Sequence, residues 1–115
     1  VLAGGPRMVL LDEPTRGMDG RARDALVAAA RELAATGASV VVATHDTDLA
    51  ASLADRVLVI EDGTVRDRGH PSAALSGDQP YASQLGRCFA SPGPVTVEAV
   101  ARLLRDGVPA GVTAL

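Results

Sequence analysis

The clearest hydrophobic pattern in the chain is an apolar run at residues 8–11 that leads directly into Asp12, Glu13 and Pro14. A short apolar run bounded by turn-forming residues predicts a buried parallel strand that is covered on both faces. Pro14 has no backbone N–H to donate to a sheet, so the strand is expected to stop before it. The two carboxylates would then lie at the carboxyl end of a strand, where open α/β sheets bind their ligands.

A helical pattern and a second apolar run follow this strand. Residues 15–20 indicate a turn in which Asp19 can cap the next helix. Helical spacing predicts a helix over residues 21–36, which Gly37 ends. The residues expected to share its inward face are Leu26, Ala29, Ala30 and Leu33. Residues 39–43 are β-branched and uncharged and predict a second buried strand, so the whole is a βαβ unit with parallel strands.

The βαβ unit has a direct consequence for chemistry, because parallel strands end at the same edge of a sheet. His45 follows the second strand and should therefore lie near Asp12 and Glu13. One carboxylate at this edge can hold magnesium and the next can orient a water, while a His can contact a phosphate oxygen or that water. The alternatives are an ordinary capped strand end for the carboxylates and, for His45, a position beside the residue that begins the next helix.

The pattern beyond residue 46 predicts smaller elements. A short helix is expected at 47–55 and a third strand at 56–61. The Asp-Gly pair at 62–63 predicts a hairpin to a strand at 64–66. His70 has no carboxylate or second His near it at ligand spacing and is interpreted as a surface residue.

The C-terminal part predicts mainly helices. Short helical runs are expected at 72–75 and 81–88. Thr96 is expected to cap a last helix, which Gly107 ends, and residues 1–7 resemble the last turn of a preceding helix. The apolar face of the last helix comprises Val97, Val100, Ala101 and Leu104.

Composition excludes several classes of function. The chain has 115 residues and a net charge of -3, and all eleven of its basic residues are Arg. This acidic balance and the two aromatic residues, Tyr81 and Phe89, argue against nucleic-acid binding through a basic face or by base stacking. Cys88 is the only cysteine, so no internal disulfide can form and a reducing compartment is expected. No apolar run approaches the roughly 18 residues of a membrane span.

The order of these motifs resembles the C-terminal half of an ABC transporter ATP-binding cassette. The resemblance rests on residues 8–14, 15–19 and 44–46 and on the Asp-Gly hairpin. It implies an α/β fold that is the C-terminal part of a P-loop NTPase, with a mostly parallel sheet flanked by helices. The implied domains are residues 1–69 for the cassette and 70–115 for a small helical extension.

The resemblance also implies roles for individual residues. Asp12 would be the Walker B ligand of magnesium and Glu13 the general base. Asp19 would be the D-loop aspartate at a dimer interface, and His45 the switch histidine that contacts the γ-phosphate. Met18 stands where the family usually has Leu, which is a volume-conserving difference. The implied cofactors are ATP and Mg²⁺, and the implied partners are a second cassette and transmembrane subunits at the cytoplasmic face of the membrane.

A finer resemblance connects residues 13–19, 80–85 and 96–98 to ATPases of energy-coupling-factor transporters. These proteins import vitamins, thiamine precursors or cobalt and nickel ions. The resemblance implies micronutrient uptake, while the alternative for the C-terminal part is a plain packing appendage.

The chain departs from the family because it contains no Lys and therefore no phosphate-binding Walker A loop. It also starts at Val1 without a Leu-Ser-Gly-Gly-Gln signature. The missing Walker A loop and the missing signature together predict a fragment that does not hydrolyse ATP by itself. An alternative is an inactive half-cassette that dimerises through the Asp19 loop or docks on a membrane partner. ABC ATPases of DNA repair or translation are a further alternative. They usually carry coiled-coil insertions or strongly basic tails, and this sequence shows neither. A receiver-like or dinucleotide-binding domain would not explain His45 together with Asp19.

Overall fold

The computed structural model describes residues 8–106. The chain divides into two compact units between His45 and Asp46. The helical turn expected at residues 1–7 and the helix end expected at Gly107 lie outside the described residues. No helix within residues 8–106 is both long enough and apolar enough to cross a membrane.

The first unit is the predicted βαβ arrangement. It consists of strand β1 (Met8–Asp12), helix α1 (Gly20–Ala35) and strand β2 (Ser39–Ala43). The two strands pair in parallel, with Leu10 opposite Val41 and Asp12 opposite Ala43. The parallel pairing expected from the strand-helix-strand pattern is therefore confirmed.

Helix α1 begins and ends where its polar and glycine residues predict. The Asp19 carboxylate accepts a hydrogen bond from the backbone N–H of Ala22 at 2.8 Å. Gly37 follows the helix with a φ of 91° and donates its N–H to the Ala34 carbonyl at 3.0 Å. A left-handed conformation at this position suits glycine, which has no Cβ to clash.

Packing in the first unit differs from the expectation in two places. Ala30 is buried on α1, but Ala29 is exposed, so the predicted inward face is narrower than expected. The prediction that β1 is covered on both faces is wrong for the described residues: Met8 is 60%, Leu10 71% and Val41 49% exposed. The reason is that residues 8–45, the described part of this unit, contain α1 as their only helix, and a single helix can cover only one face of a two-stranded sheet.

The second unit begins with helix α2 (Thr47–Leu53), which the side chain of Asp46 caps through the N–H of Leu49 at 2.9 Å. Strands β3 (Val57–Glu61) and β4 (Thr64–Gly69) then form an antiparallel pair. Asp62 and Gly63 join the strands with φ values of 49° and 72°. Two left-handed residues in succession make the turn that matches the twist of a hairpin, which confirms the Asp-Gly prediction.

The antiparallel pairing of β3 with β4 corrects the prediction of a mostly parallel sheet. The α/β class is confirmed, but a mostly parallel sheet is not, since residues 8–106 contain one parallel pair and one antiparallel pair. Strand β3 pairs with β4 because a two-residue turn brings β4 beside it with little loss of chain entropy.

An ion pair ties the start of β3 to β4. Two nitrogens of the Arg56 guanidinium donate to one oxygen of the Asp67 carboxylate, Oδ2. The Nε lies 2.9 Å from this oxygen, and a terminal nitrogen contacts it as well. This contact, assisted by the N–H of Gly69, lowers the pKa of Asp67 to about 2. The carboxylate therefore stays charged in the folded hairpin at neutral pH.

The remaining elements are helix α3 (Pro71–Ala74), a 3₁₀ turn (Gly86–Cys88) and helix α4 (Val97–Asp106). The Thr96 hydroxyl accepts from the N–H of Ala99 at 3.2 Å, as its predicted capping role requires. His70 is exposed, as expected. The helix predicted over residues 81–88 is wrong except for its last turn, because the Ser83 side chain bonds to backbone groups outside a helical pattern.

The core of the second unit combines small apolar residues with two buried serines. The buried apolar cluster consists of Ala51, Val57, Ala74, Leu75 and Val95. Ser76 and Ser83 are fully buried, and each is hydrogen-bonded: Ser76 accepts from the N–H of Gly93 at 3.2 Å, and Ser83 accepts from the N–H of Gly86 at 3.0 Å. Their hydroxyls replace missing secondary structure as partners for the backbone of this tail.

Candidate functional site

The candidate site lies at the carboxyl end of the parallel pair in the first unit. Asp12 and Ala43 are the last residues of the two strands and lie opposite each other. The N–H of Glu13 donates to the Ala43 carbonyl at 2.8 Å, which extends the pairing by one residue. The predicted proximity of Asp12, Glu13 and His45 at one sheet edge is therefore confirmed.

Glu13 has an unusual backbone conformation for this position. Its φ is 43°, in the left-handed region that residues other than glycine rarely adopt. Conformations of this kind cost energy and are found preferentially at functional sites. The turn directly after β1 brings the Glu13 side chain to the end of β2.

Three hydrogen bonds hold the Glu13 carboxylate. The backbone N–H of His45 donates to Oε1 at 2.9 Å, and the His45 ring contacts the same oxygen through Nδ1 at 2.7 Å. The Thr44 hydroxyl donates to Oε2 at 3.1 Å. Both oxygens of the carboxylate are therefore engaged by two consecutive residues of the neighbouring strand end.

These contacts favour the ionised form of Glu13. Its pKa lies below the usual value of 4.5, first because of the hydrogen bond with the His45 ring and then because of the His45 N–H and the Thr44 hydroxyl, while partial burial acts in the opposite direction. A lowered folded-state pKa means that the contacts stabilise the fold above the ordinary carboxyl pKa, and that this effect is lost as the pH falls through the lowered value. At neutral pH, Glu13 is a carboxylate that can accept a proton.

The two members of the Glu13–His45 pair differ in exposure. The side chain of His45 is 92% exposed, whereas that of Glu13 is 34% exposed. The cap of α2 is Asp46, so the ring of His45 has no part in starting that helix. His45 instead presents an exposed imidazole to solvent at the site, where it is accessible to a ligand.

Asp12 offers a carboxylate for a metal ion. It is exposed and lies on the same face of β1 as Met8 and Leu10. Residues 8–106 contain no group of three or more acidic, His or Cys side chains that could enclose a metal. Magnesium is commonly held by one or two carboxylates together with waters and substrate phosphates, so a single aspartate at the strand end fits this ion.

Asp19 has a structural part in the first unit as the cap of α1. The preceding turn is closed by bonds from Arg16 N–H to the Glu13 carbonyl at 3.2 Å and from Met18 N–H to the Thr15 carbonyl at 3.0 Å. Asp19 follows Glu13 by six residues. The turn and the cap place it at the start of the helix that packs on the parallel pair.

Replacing Asp19 with Ala is expected to lower the free energy of unfolding by about 1 kcal/mol, because the N–H of Ala22 loses its acceptor. Asp19→Asn keeps an oxygen in the same place and is expected to retain most of this stability. Urea denaturation followed by circular dichroism measures both changes. Equal losses in the two variants would show that the cap is not the source of the effect.

Sequence reasoning missed two features of this site, the left-handed backbone of Glu13 and the hydroxyl contact of Thr44. The only available signal for the second was the position of Thr44, a hydroxyl residue between the second strand and His45. That position makes contact with Glu13 possible, but only the strand register brings the two side chains together.

Comparison with known proteins gives close relatives over most of the chain. No family model matches the sequence. The chain is 40% identical over 104 residues to a putative ABC transporter ATP-binding protein from Streptomyces avermitilis. The matched residues make up 90% of this chain and 18% of that protein. It is 36% identical over 105 residues to the hemin import ATP-binding protein HmuV from Rhodopseudomonas palustris, which covers 91% of this chain and 35% of that protein.

A third relative is the hemin import ATP-binding protein HmuV of Deinococcus radiodurans, 44% identical over 72 residues. This match covers 63% of the chain and 28% of the relative, so the chain spans between about a fifth and a third of the length of these proteins. The hemin import names do not confirm the predicted energy-coupling-factor type. The chain is a relative of ABC transporter ATP-binding proteins over part of their length, and these comparisons support the ABC ATPase family for it.

Proposed function

We propose that this chain is the C-terminal half of an ABC ATP-binding cassette, in which ATP hydrolysis drives the transport of a solute across a membrane. The observation that carries the proposal is the contact between Glu13 and His45 at the end of two parallel strands. It brings a proton acceptor and an exposed imidazole to one sheet edge. The names of the relatives support the same activity.

Each residue of the edge has a distinct proposed role. Asp12 would hold magnesium, which when bound neutralises charge on the phosphates of ATP. Glu13 would take a proton from the attacking water as general base, because it is ionised and has oxygens directed to the strand edge. His45 would contact the γ-phosphate through its exposed ring, and Asp19 would lie at the interface with a second cassette.

The chain requires further residues for this chemistry, since it has no Lys to reach the phosphates of ATP. The exposed apolar face formed by Met8, Leu10 and Val41 supports a pair of strands that a further segment of the cassette covers on this face. In the proposal, residues 1–69 belong to the cassette and residues 70–115 form its helical extension. A complete cassette is this segment joined to a Walker A loop in one chain.

The proposed setting follows from the same family. The complete cassette would pair with a second cassette and dock on transmembrane subunits at the cytoplasmic face of the membrane. Micronutrient uptake of the energy-coupling-factor type is proposed on the basis of residues 80–85 and 96–98, within which Ser83 and Thr96 organise the tail. The hemin import names of two relatives supply the competing substrate class.

The proposal is tested by reading the DNA upstream of the codon for Val1. We expect an in-frame glycine-rich loop with Lys-Ser or Lys-Thr, followed by a Leu-Ser-Gly-Gly phrase just before Val1. The purified 115-residue chain itself is expected to show no magnesium-dependent ATP hydrolysis above background.

A start codon with none of these motifs would contradict the proposal and favour an inactive half-cassette that acts as an interaction module. Size-exclusion chromatography then separates two cases. A defined dimer would support the module, whereas aggregates would indicate a segment that does not function alone.

A further inference from the structure

We propose that Thr44 is a positioning residue, whose hydroxyl fixes the orientation of the Glu13 carboxylate and directs it toward the attacking water. This inference deepens the proposed function and rests on it for the identity of the reaction. Its structural content, that Thr44 immobilises Glu13, can be tested without ATP.

Donors from two consecutive residues contact the two oxygens of the Glu13 carboxylate. The Thr44 hydroxyl lies 3.1 Å from Oε2, and the His45 N–H lies 2.9 Å from Oε1. A carboxylate held at only one oxygen can rotate about its terminal torsion, which has a broad energy profile. Donors at both oxygens from consecutive residues remove this freedom and define the plane of the group.

The contacts of Glu13 differ in how easily they can be broken when a ligand binds. The His45 ring is 92% exposed, so it can leave Oε1 at little cost and turn toward a phosphate. Thr44 is half-buried, follows directly after β2, and has a branched side chain with few accessible rotamers. The Thr44 hydroxyl and the His45 N–H can therefore hold Glu13 while the His45 ring moves.

The two oxygens of the Glu13 carboxylate differ in how many hydrogen bonds they already accept. Each oxygen of a carboxylate can accept about two hydrogen bonds. Oε1 receives two contacts, both from His45, whereas Oε2 receives that of Thr44. Oε2 thus keeps a position for a water, and the Thr44 hydroxyl determines the direction in which that position points.

The test uses nuclear magnetic resonance on the 115-residue chain at neutral pH. Scalar couplings among the Hα, Hβ and Hγ protons of Glu13 report the two torsions that carry the carboxylate. They are expected to show one dominant rotamer in the wild type, because a carboxylate held at both oxygens cannot swing about these torsions. Thr44→Val has nearly the same shape but no hydroxyl, and it should average these couplings and speed exchange of the His45 amide proton about 3- to 10-fold. Thr44→Ser restores the hydroxyl and should return both observables toward wild-type values.

Thr36→Val is the matched control, because Thr36 is an exposed residue at the end of α1 whose hydroxyl donates to the Leu33 carbonyl. It is expected to leave the Glu13 couplings unchanged. Amide shifts of β1 and β2 report whether each variant keeps the strand pairing. If Thr44→Val loses that pairing, the test is made on the wild-type chain. A Thr44 hydroxyl proton that is protected from exchange and lies close to the Glu13 side chain would then support the inference.

A wild-type Glu13 that already averages between rotamers, or one that stays fixed in Thr44→Val, would overturn the inference. In a complete cassette that hydrolyses ATP, Thr44→Val should lower kcat roughly 10- to 100-fold with KM for ATP little changed, and Thr44→Ser should recover most of it. If the complete cassette has no ATPase activity, the proposed function fails while the couplings still decide whether Thr44 positions Glu13.

Discussion

Replacing Glu13 with Gln is expected to lower ATP hydrolysis by the complete cassette about 10²- to 10⁴-fold. The amide of Gln has nearly the same shape and can still accept from the Thr44 hydroxyl or the His45 N–H, but it cannot take a proton from water. Nucleotide binding should be retained, because the Glu13 carboxylate contacts Thr44 and His45, and its proposed role is toward the attacking water rather than the phosphates. Steady-state phosphate release and ATP binding measured on the same preparation separate the two effects.

Glu32→Gln is the matched control for this substitution. Glu32 is an exposed residue of α1, and its replacement changes the net charge by the same amount without touching the strand edge. We expect its hydrolysis rate to equal that of the wild type. A Glu13→Gln variant that hydrolyses ATP at the control rate would remove Glu13 from the role of general base.

Replacing Gly86 with Ala is expected to lower the free energy of unfolding of the chain by about 3 kcal/mol, at the upper end of the range for overpacking. A Cβ at this position would lie 1.9 Å from the Leu75 carbonyl oxygen and 2.8 Å from the Ser83 Oγ. The first of these neighbours is backbone and cannot rotate away. Relieving the clash would separate two segments of the tail that are joined by the bond from Gly77 N–H to the Gly86 carbonyl at 2.8 Å.

Differential scanning fluorimetry should show a Tm lowered by roughly 12 to 24 °C, which corresponds to this free energy for a domain of about 100 residues. Gly20→Ala is the control, since a Cβ there would meet nothing within 4 Å and alanine is the better helix former. Its Tm should equal or exceed that of the wild type. Equal Tm values for the Gly86→Ala and Gly20→Ala variants would contradict the close approach at Gly86.

The elements of the chain that could be predicted are those encoded by local patterns. The βαβ order follows from the periods of the apolar residues, and Asp62-Gly63 specifies its hairpin because both residues tolerate left-handed backbone. Asp19 and Thr96 cap helices through their own neighbours three residues away. Each of these signals depends on residues close in sequence, so each is present in the sequence itself.

For the candidate site, the sequence predicted which residues lie at the sheet edge but not how their side chains contact each other. Parallel strands joined by a helix must end at the same edge, which brings Glu13 and His45 together without knowledge of any side-chain contact. The sequence did not indicate that Glu13 adopts a φ of 43° or that the Thr44 hydroxyl meets its carboxylate. Those features depend on the register between strands that are 31 residues apart.

By itself, the sequence determined the βαβ unit, the hairpin, the caps at Asp19 and Thr96 and the pair of acidic residues at the end of β1. The tertiary structure alone decided that one face of the parallel pair is exposed, that Ser83 bonds to the distant Val95 carbonyl where a helix was predicted, and that Gly86 has no room for a Cβ. The physical reason is the range of the interactions. Turn and cap energies act over a few residues, whereas burial, close packing and the position of a carboxylate depend on which distant segments meet.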